Sequence, residues 1–155
     1  MMNRRKFNKT MLVATGVTAG ASMGVLPQIT FAAWPTSAFD AESVDDAVKA
    51  LYGDVTPEAS DAISFKAPDI AENGAVVPVS VIADIDNVDH VSLLVATNPS
   101  PLAATFEQPV PGKANVSTRI KMGKTSELIA LVRADGKVYT ATSNEVKVTI
   151  GGCGG

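Results

Sequence analysis

Cysteine and histidine are all but missing from this chain: Cys153 and His90 each stand alone among 155 residues. A single cysteine cannot close a disulfide within the chain. One cysteine with one histidine also falls short of the four ligands of a structural zinc site. The sequence therefore implies no metal and no cofactor. It holds no Cys-x-x-Cys pair and no local Cys-His arrangement, which counts against a self-contained thiol enzyme. The five methionines form no copper-like cluster. No internal repeat is evident, and nothing marks off a second folded domain.

Basic charge is also scarce once the N-terminus is set apart. Arg4 and Arg5, followed by Phe7 and Lys9, have the spacing of a twin-arginine export signal. Asn3 and Asn8 depart from that consensus, which prefers Ser or Thr before the pair and an apolar residue after Phe7. A weakly hydrophobic stretch from about Met11 to Phe31 follows, broken by Gly16, Gly20, Gly24 and Pro27. Its length would suit a membrane span of about 20 residues. Its Gly, Thr and Ser content and the break at Pro27 fit a cleavable signal better. Thr30-Phe31-Ala32 puts small residues at both recognition positions, so cleavage is expected after Ala32, with export to the periplasm. Residues 1–32 carry Arg4, Arg5, Lys6 and Lys9 and no carboxylate. Their loss leaves nine basic against 16 acidic side chains, an excess of seven negative charges. Such a chain is a poor match for nucleic acid or an anionic membrane surface. The remaining length suffices for one domain with one core.

Residues 33–61 read as a linker and a helix. From Ser43 to Tyr52, Val44, Ala47, Val48 and Leu51 repeat at helical spacing and form one apolar stripe. Ser43 with Asp46 offers a capping box, and Gly53 follows the last periodic residue. Asp40 or Ser37 could cap a longer helix. The early acids Asp40, Glu42, Asp45 and Asp46 suit the helix dipole and solubility rather than catalysis. Trp34 reads as a packing or interface anchor.

Residues 62–150 read as short strands: 62–67, 76–83, 90–97, 116–122, 127–134, 137–142 and 145–150. Asp135-Gly136 is the strongest hairpin signal, and Asn73-Gly74 and Asp86-Asn87 mark further turns. Pro78 suggests an edge or a bulge. Residues 98–112, with Pro99, Pro101, Pro109 and Pro111, read as a long surface connection between sheets. The expected fold is mainly β: an immunoglobulin-like sandwich of about seven strands, one N-terminal helix and a flexible C-terminal arm. His90, at the start of a predicted strand after Asp86 and Asp89, reads as a surface histidine rather than a base for the thiol.

The arm is residues 151–155, Gly151-Gly152-Cys153-Gly154-Gly155. Four glycines around one thiol make a tether with little preferred shape, and five residues extend to roughly 16–18 Å. No Lys, Arg or His lies within the pentapeptide to lower the thiol's pKa, and a terminal carboxylate would disfavour the thiolate. A thiol placed this way is suited to visiting other proteins' active sites, borrowing its activation there. The rival reading is an exported β-sandwich module whose terminal cysteine forms an intermolecular structural disulfide.

The pentapeptide, the twin-arginine leader and the small β domain together resemble the SoxY family, the sulfur-carrying subunits of the thiosulfate-oxidising (Sox) multienzyme system. The segment 68–79, Pro-Asp-Ile-Ala-Glu-Asn-Gly-Ala-Val-Val-Pro-Val, resembles a stretch near the start of that family's β domain. The resemblance implies that Cys153 carries the substrate covalently and that the chain is a carrier, not an enzyme. It also implies its partners: a SoxZ-like β-sandwich subunit in a heterodimer, a c-type cytochrome pair, a hydrolase and, where present, a sulfur dehydrogenase.

Overall fold

The computed structural model describes residues 35–149. Two helices open this region, α1 (Thr36–Phe39) and α2 (Val44–Tyr52). The expected cap is present: Ser43 Oγ accepts the Asp46 N–H at 3.1 Å and donates to the Asp46 carboxylate at 2.6 Å. Gly53 ends α2 at φ 78°, a left-handed backbone that glycine adopts without a Cβ clash. The short α1 was not expected. Ser100 Oγ donates to the Phe39 carbonyl at its end.

Eight strands follow: β1 (Glu58–Ala59), β2 (Ile63–Lys66), β3 (Ile70–Ala71), β4 (Val77–Val95), β5 (Leu102–Ile120), β6 (Leu128–Ala134), β7 (Lys137–Thr142) and β8 (Lys147–Val148). The main sheet runs β1-β7-β6-β4-β2, with β5 also on β4, and β3 pairs with β8 in parallel. The main sheet curls into an immunoglobulin-like sandwich because β4 and β5 serve both of its layers. The first half of β4 pairs with β2, its second half pairs with β6, and β5 follows it through both.

The bend between these halves corrects three sequence expectations. Residues 76–83 and 90–97 are one strand, not two. Asp86-Asn87 is a bulge within β4, not a turn that ends a strand. Residues 98–112 are not a surface connection, since β5 starts at Leu102. The register explains why. Val88 pairs with Gly112 and His90 with Glu107, so 108–111 stand opposite Asp89 alone; Ala83 pairs with Ala114, so 84–87 stand opposite Lys113 alone. Pro109 and Pro111 fall inside this unpaired stretch, where no ladder donor is required. Asn87 takes φ 56° on the opposing strand. Pro78 pairs with Arg119 on β5 but lies beyond β2, whose pairing stops at Ser80, so it has the local edge expected of it.

Alternation then builds the core. Val77, Val79, Val81 and Ala83 from one half of β4 meet Val91, Leu93 and Val95 from the other, with Leu128, Ala130 and Val132 of β6. All are buried. On the outer face of the second layer, Leu94, Leu102, Leu131 and Val138 receive Ala38, Ala47 and Val48 of the helices. The stripe that predicts α2 is thus the stripe that seats it on the sheet. Asp135 and Gly136, at φ 50° and 75°, join β6 to β7 as the predicted two-residue hairpin. The expected last strand, 145–150, is shorter: Val146 bridges Ser126, and β8 is Lys147–Val148.

Candidate functional site

The predicted carrier residue Cys153 and its glycines, Gly151, Gly152, Gly154 and Gly155, lie outside the described residues. So do Arg4, Arg5, Phe7 and Lys9 of the predicted signal, and Trp34. What the structure describes is the platform from which the C-terminal segment departs.

That platform is held on both sides, by backbone pairing on one and by a side-chain hydroxyl on the other. Lys147 N–H donates to the Asp69 carbonyl at 2.9 Å, and Thr149 N–H to the Ala71 carbonyl at 3.1 Å. On the other side, Val148 N–H donates to Thr125 Oγ1 at 3.0 Å. The neighbouring loop is fixed in turn: Met122 N–H donates to the Gly74 carbonyl at 2.7 Å, and Asn98 bonds both the Lys121 carbonyl and the Gly123 N–H. Asn73 closes the predicted turn by accepting the Ala75 N–H at 2.9 Å. Covalent geometry then limits Cys153: four residues beyond Thr149, its Cα is within about 14 Å of that anchor. The segment 68–79, singled out in the sequence, supplies one wall of this root through β3 and its turn.

His90 lies elsewhere, and its surface placement is corrected. It is 7% exposed, on the outer face of the second layer beneath the C-terminal end of α2. Its ring meets Tyr52 edge to face at 5.5 Å. A hydroxyl chain runs from Tyr52 through Ser92 (2.9 Å) and Thr105 (2.9 Å) to His90 Nε2 (2.6 Å). Nδ1 is buried and has no partner among the described residues. Burial, and then the Arg133 guanidinium, hold the imidazole's pKa below its ordinary value, so the ring is neutral at pH 7. Burial likewise pushes the Tyr52 phenol up to about 12. Arg133 is itself paired with Asp89 at 2.8 Å. This neutral cluster latches α2 to the sheet. Its sequence signal was the run His90-Ser92-Leu94, one strand face under an amphipathic helix. Among the described residues no His, Cys, Asp and Glu side chains gather as a metal site.

The described residues thus contain an anchored exit for a thiol-bearing tail. The family model described as "Sulfur oxidation protein SoxY" matches residues 48–153, from the middle of α2 through Cys153. No curated protein matches the chain. A solved structure titled as the sulfur carrier protein SoxY from Chlorobium limicola f. thiosulfatophilum is 45% identical. The match covers 70% of this chain and 97% of that one, with a TM-score of 0.63. With a family model spanning most of its length and a solved relative this similar, the chain belongs to the SoxY family.

Proposed function

We propose that this protein is the covalent sulfur-substrate carrier of a periplasmic thiosulfate-oxidising system, with intermediates attached to Cys153. The observation that carries the reading is that the family match extends through Cys153, on a chain with no other thiol. The protein is a carrier and not itself a catalyst. Loading joins the thiol to the sulfane sulfur of thiosulfate. The S–H bond breaks, an S–S bond forms, one proton is released, and two electrons pass to a c-type cytochrome pair. Water then cleaves the terminal S–S bond of the thiosulfonate in a hydrolase, releasing sulfate and a proton and leaving a persulfide. A sulfur dehydrogenase, where the host has one, passes the electrons of that sulfur to its own acceptor while water supplies the oxygens and protons are released, leaving a sulfonate on the Cys153 sulfur. A second hydrolysis then releases sulfate and a proton and restores the thiol. Covalent attachment keeps these species from diffusing away, and a segment of glycines can thread a narrow channel.

Export through the twin-arginine route is part of the proposal, read from Arg4, Arg5, Phe7 and Lys9. So is a heterodimer with a SoxZ-like subunit. The deciding experiment is Cys153→Ser in thiosulfate-grown cells. Thiosulfate-dependent respiration should be abolished while folding and heterodimer formation persist. Intact mass spectra of the wild-type protein should show thiosulfonate and persulfide adducts that the variant lacks. Respiration that survives the substitution would refute the carrier role.

A further inference from the structure

Sixteen carboxylates make this an acidic domain, yet its cations are distributed unevenly. Four form ion pairs: Lys49 with Asp54, Lys113 with Asp84, Arg133 with Asp89 and Lys137 with Glu58. The other five basic side chains of the described residues are Lys66, Arg119, Lys121, Lys124 and Lys147. None of them has a carboxylate partner among the described residues, and all are exposed. All five belong to the end of the sandwich from which the C-terminal segment leaves. Lys147 is in β8 itself. Lys124 precedes Thr125, which bonds Val148, and Lys121 precedes Met122, which bonds Gly74. Arg119 is opposite Pro78 and Lys66 opposite Ser80, near the start of β4. These last two share an open groove of about 970 Å³ with the Ser80 and Ser117 hydroxyls. Among the described residues only Asp69, Glu72, Glu127 and Glu145 bring carboxylates to this end; the rest stand on the helices, at the β1–β2 edge and at the bend. Two exposed apolar side chains, Ile70 at 57% and Val76 at 49%, stand within the same root.

Geometry restricts what can approach here. An enzyme that takes Cys153 into its active site must come within about 14 Å of Thr149. Its rim must therefore meet the residues around Thr149, where this otherwise negative molecule presents its unpaired cations. We infer that this end is an electrostatic docking face for an acidic protein surface: the carboxylate-lined entrance of an enzyme that admits the C-terminal segment. The inference rests on the carrier reading above and adds the chemistry of the partner's rim. An acidic rim repels the rest of the molecule and attracts this end, so encounter is oriented tail first.

The test is the triple variant Lys121→Glu/Lys124→Glu/Lys147→Glu of the full mature chain, thiosulfonate-loaded and in its heterodimer. The readout is kcat/KM with the purified hydrolase. Measurements run from about 0.01 M salt, where the screening length is about 30 Å, to about 1 M, where it is about 3 Å. At low salt the variant should fall about tenfold or more below the parent, and the two should converge at high salt. A matched control, Lys49→Glu/Lys113→Glu/Lys137→Glu, changes net charge equally at paired sites and should stay within about twofold. The milder Lys121→Ala/Lys124→Ala/Lys147→Ala should show a smaller salt-dependent loss of the same sign, which guards against misfolding of the glutamate triple. Equal kcat/KM for parent and both root variants at low salt would overturn the docking face. So would a loss that salt leaves unchanged, or an equal loss in the control. A Cys153→Ser chain processed as well as the parent would instead refute the carrier reading.

Discussion

The two ends of the sandwich solve opposite problems. At the bend, β4 and β5 turn from one layer to the other, and the cost of interrupting the ladder is met locally. Gln108 donates to the Val88 carbonyl at 3.2 Å, Asn87 donates to the Asp135 carboxylate, and Lys113 and Arg133 are tied to Asp84 and Asp89. At the root, by contrast, β3 and β8 are two residues long, a side-chain hydroxyl accepts a backbone N–H in place of a strand, and five cations lack a carboxylate partner among the described residues. One end is closed upon itself; the other keeps its polar and apolar groups available. The lesson is that a carrier's scaffold can place its stabilising contacts away from the tail it presents, so that stability and delivery respond to different residues.

That separation can be broken or sharpened by substitution, and the largest effect should come from the shared core. Leu93, 1% exposed between the layers, should cost about 2–5 kcal/mol as Leu93→Ala in denaturant unfolding. The reaction of Cys153 with a small thiol reagent should change little. If thiol reactivity fell in proportion, the tail would be coupled to the core and the comparison would fail. The converse substitution, Gly152→Val with Gly154→Val, should leave unfolding unchanged yet lower turnover with the partner enzymes about tenfold, equivalent to about 1.4 kcal/mol. β-Branched side chains would stiffen and widen a segment that, in the proposed role, enters a partner's channel.

Smaller effects should separate the two ends more finely. Gly136→Val, which forces φ 75° on a β-branched residue, should cost about 1–2 kcal/mol globally. Thr125→Val at the root removes the acceptor for Val148 N–H and should cost about 1 kcal/mol. Most of that loss should appear as faster hydrogen exchange at Val148, with the global midpoint little moved. Equal global costs for the two would show the root to be as integral as the bend.

The smallest effect is the pH dependence of the His90 cluster. Its pKa is lowered on folding, so the unfolded chain binds the proton more readily. Stability from this group is full above about 6.5 and declines as pH falls below it. Tyr52 acts at the other extreme: its pKa is raised, so its contribution is full below pH 10 and is lost as pH rises from 10 to about 12. Urea midpoints measured from pH 7 to pH 5 should fall more steeply for the parent than for His90→Phe, and an unchanged slope would contradict the neutral buried ring.

Local rules made much of the fold legible. Ser43, the stripe from Val44 to Leu51 and Gly53 bound α2 because capping, periodicity and a left-handed terminus are properties of neighbouring residues. Asp135-Gly136 predicts its hairpin for the same reason, and Lys137–Thr142 is a strand as read. Proline is where local reading failed. Pro109 and Pro111 bar a regular ladder, but whether the residues around them form a loop or a bulged strand depends on what stands opposite. Here 108–111 face a single residue of β4, a pairing about twenty positions away in sequence. His90 was misplaced for a similar reason: its neighbours Asp86 and Asp89 are polar, while its burial depends on α2 and Thr105, which arrive from elsewhere.

By itself the sequence determined that this is an acidic, mainly β chain with one thiol set among glycines, because composition and local chemistry require no partner. Only the tertiary structure decided that β4 and β5 each serve two layers and that His90 sits neutral beneath a helix. It alone decided that the five cations without carboxylate partners among the described residues gather near Thr149. Those outcomes depend on which distant residues meet, and that is set by how one curled sheet closes on a shared core and takes the helices on its second layer.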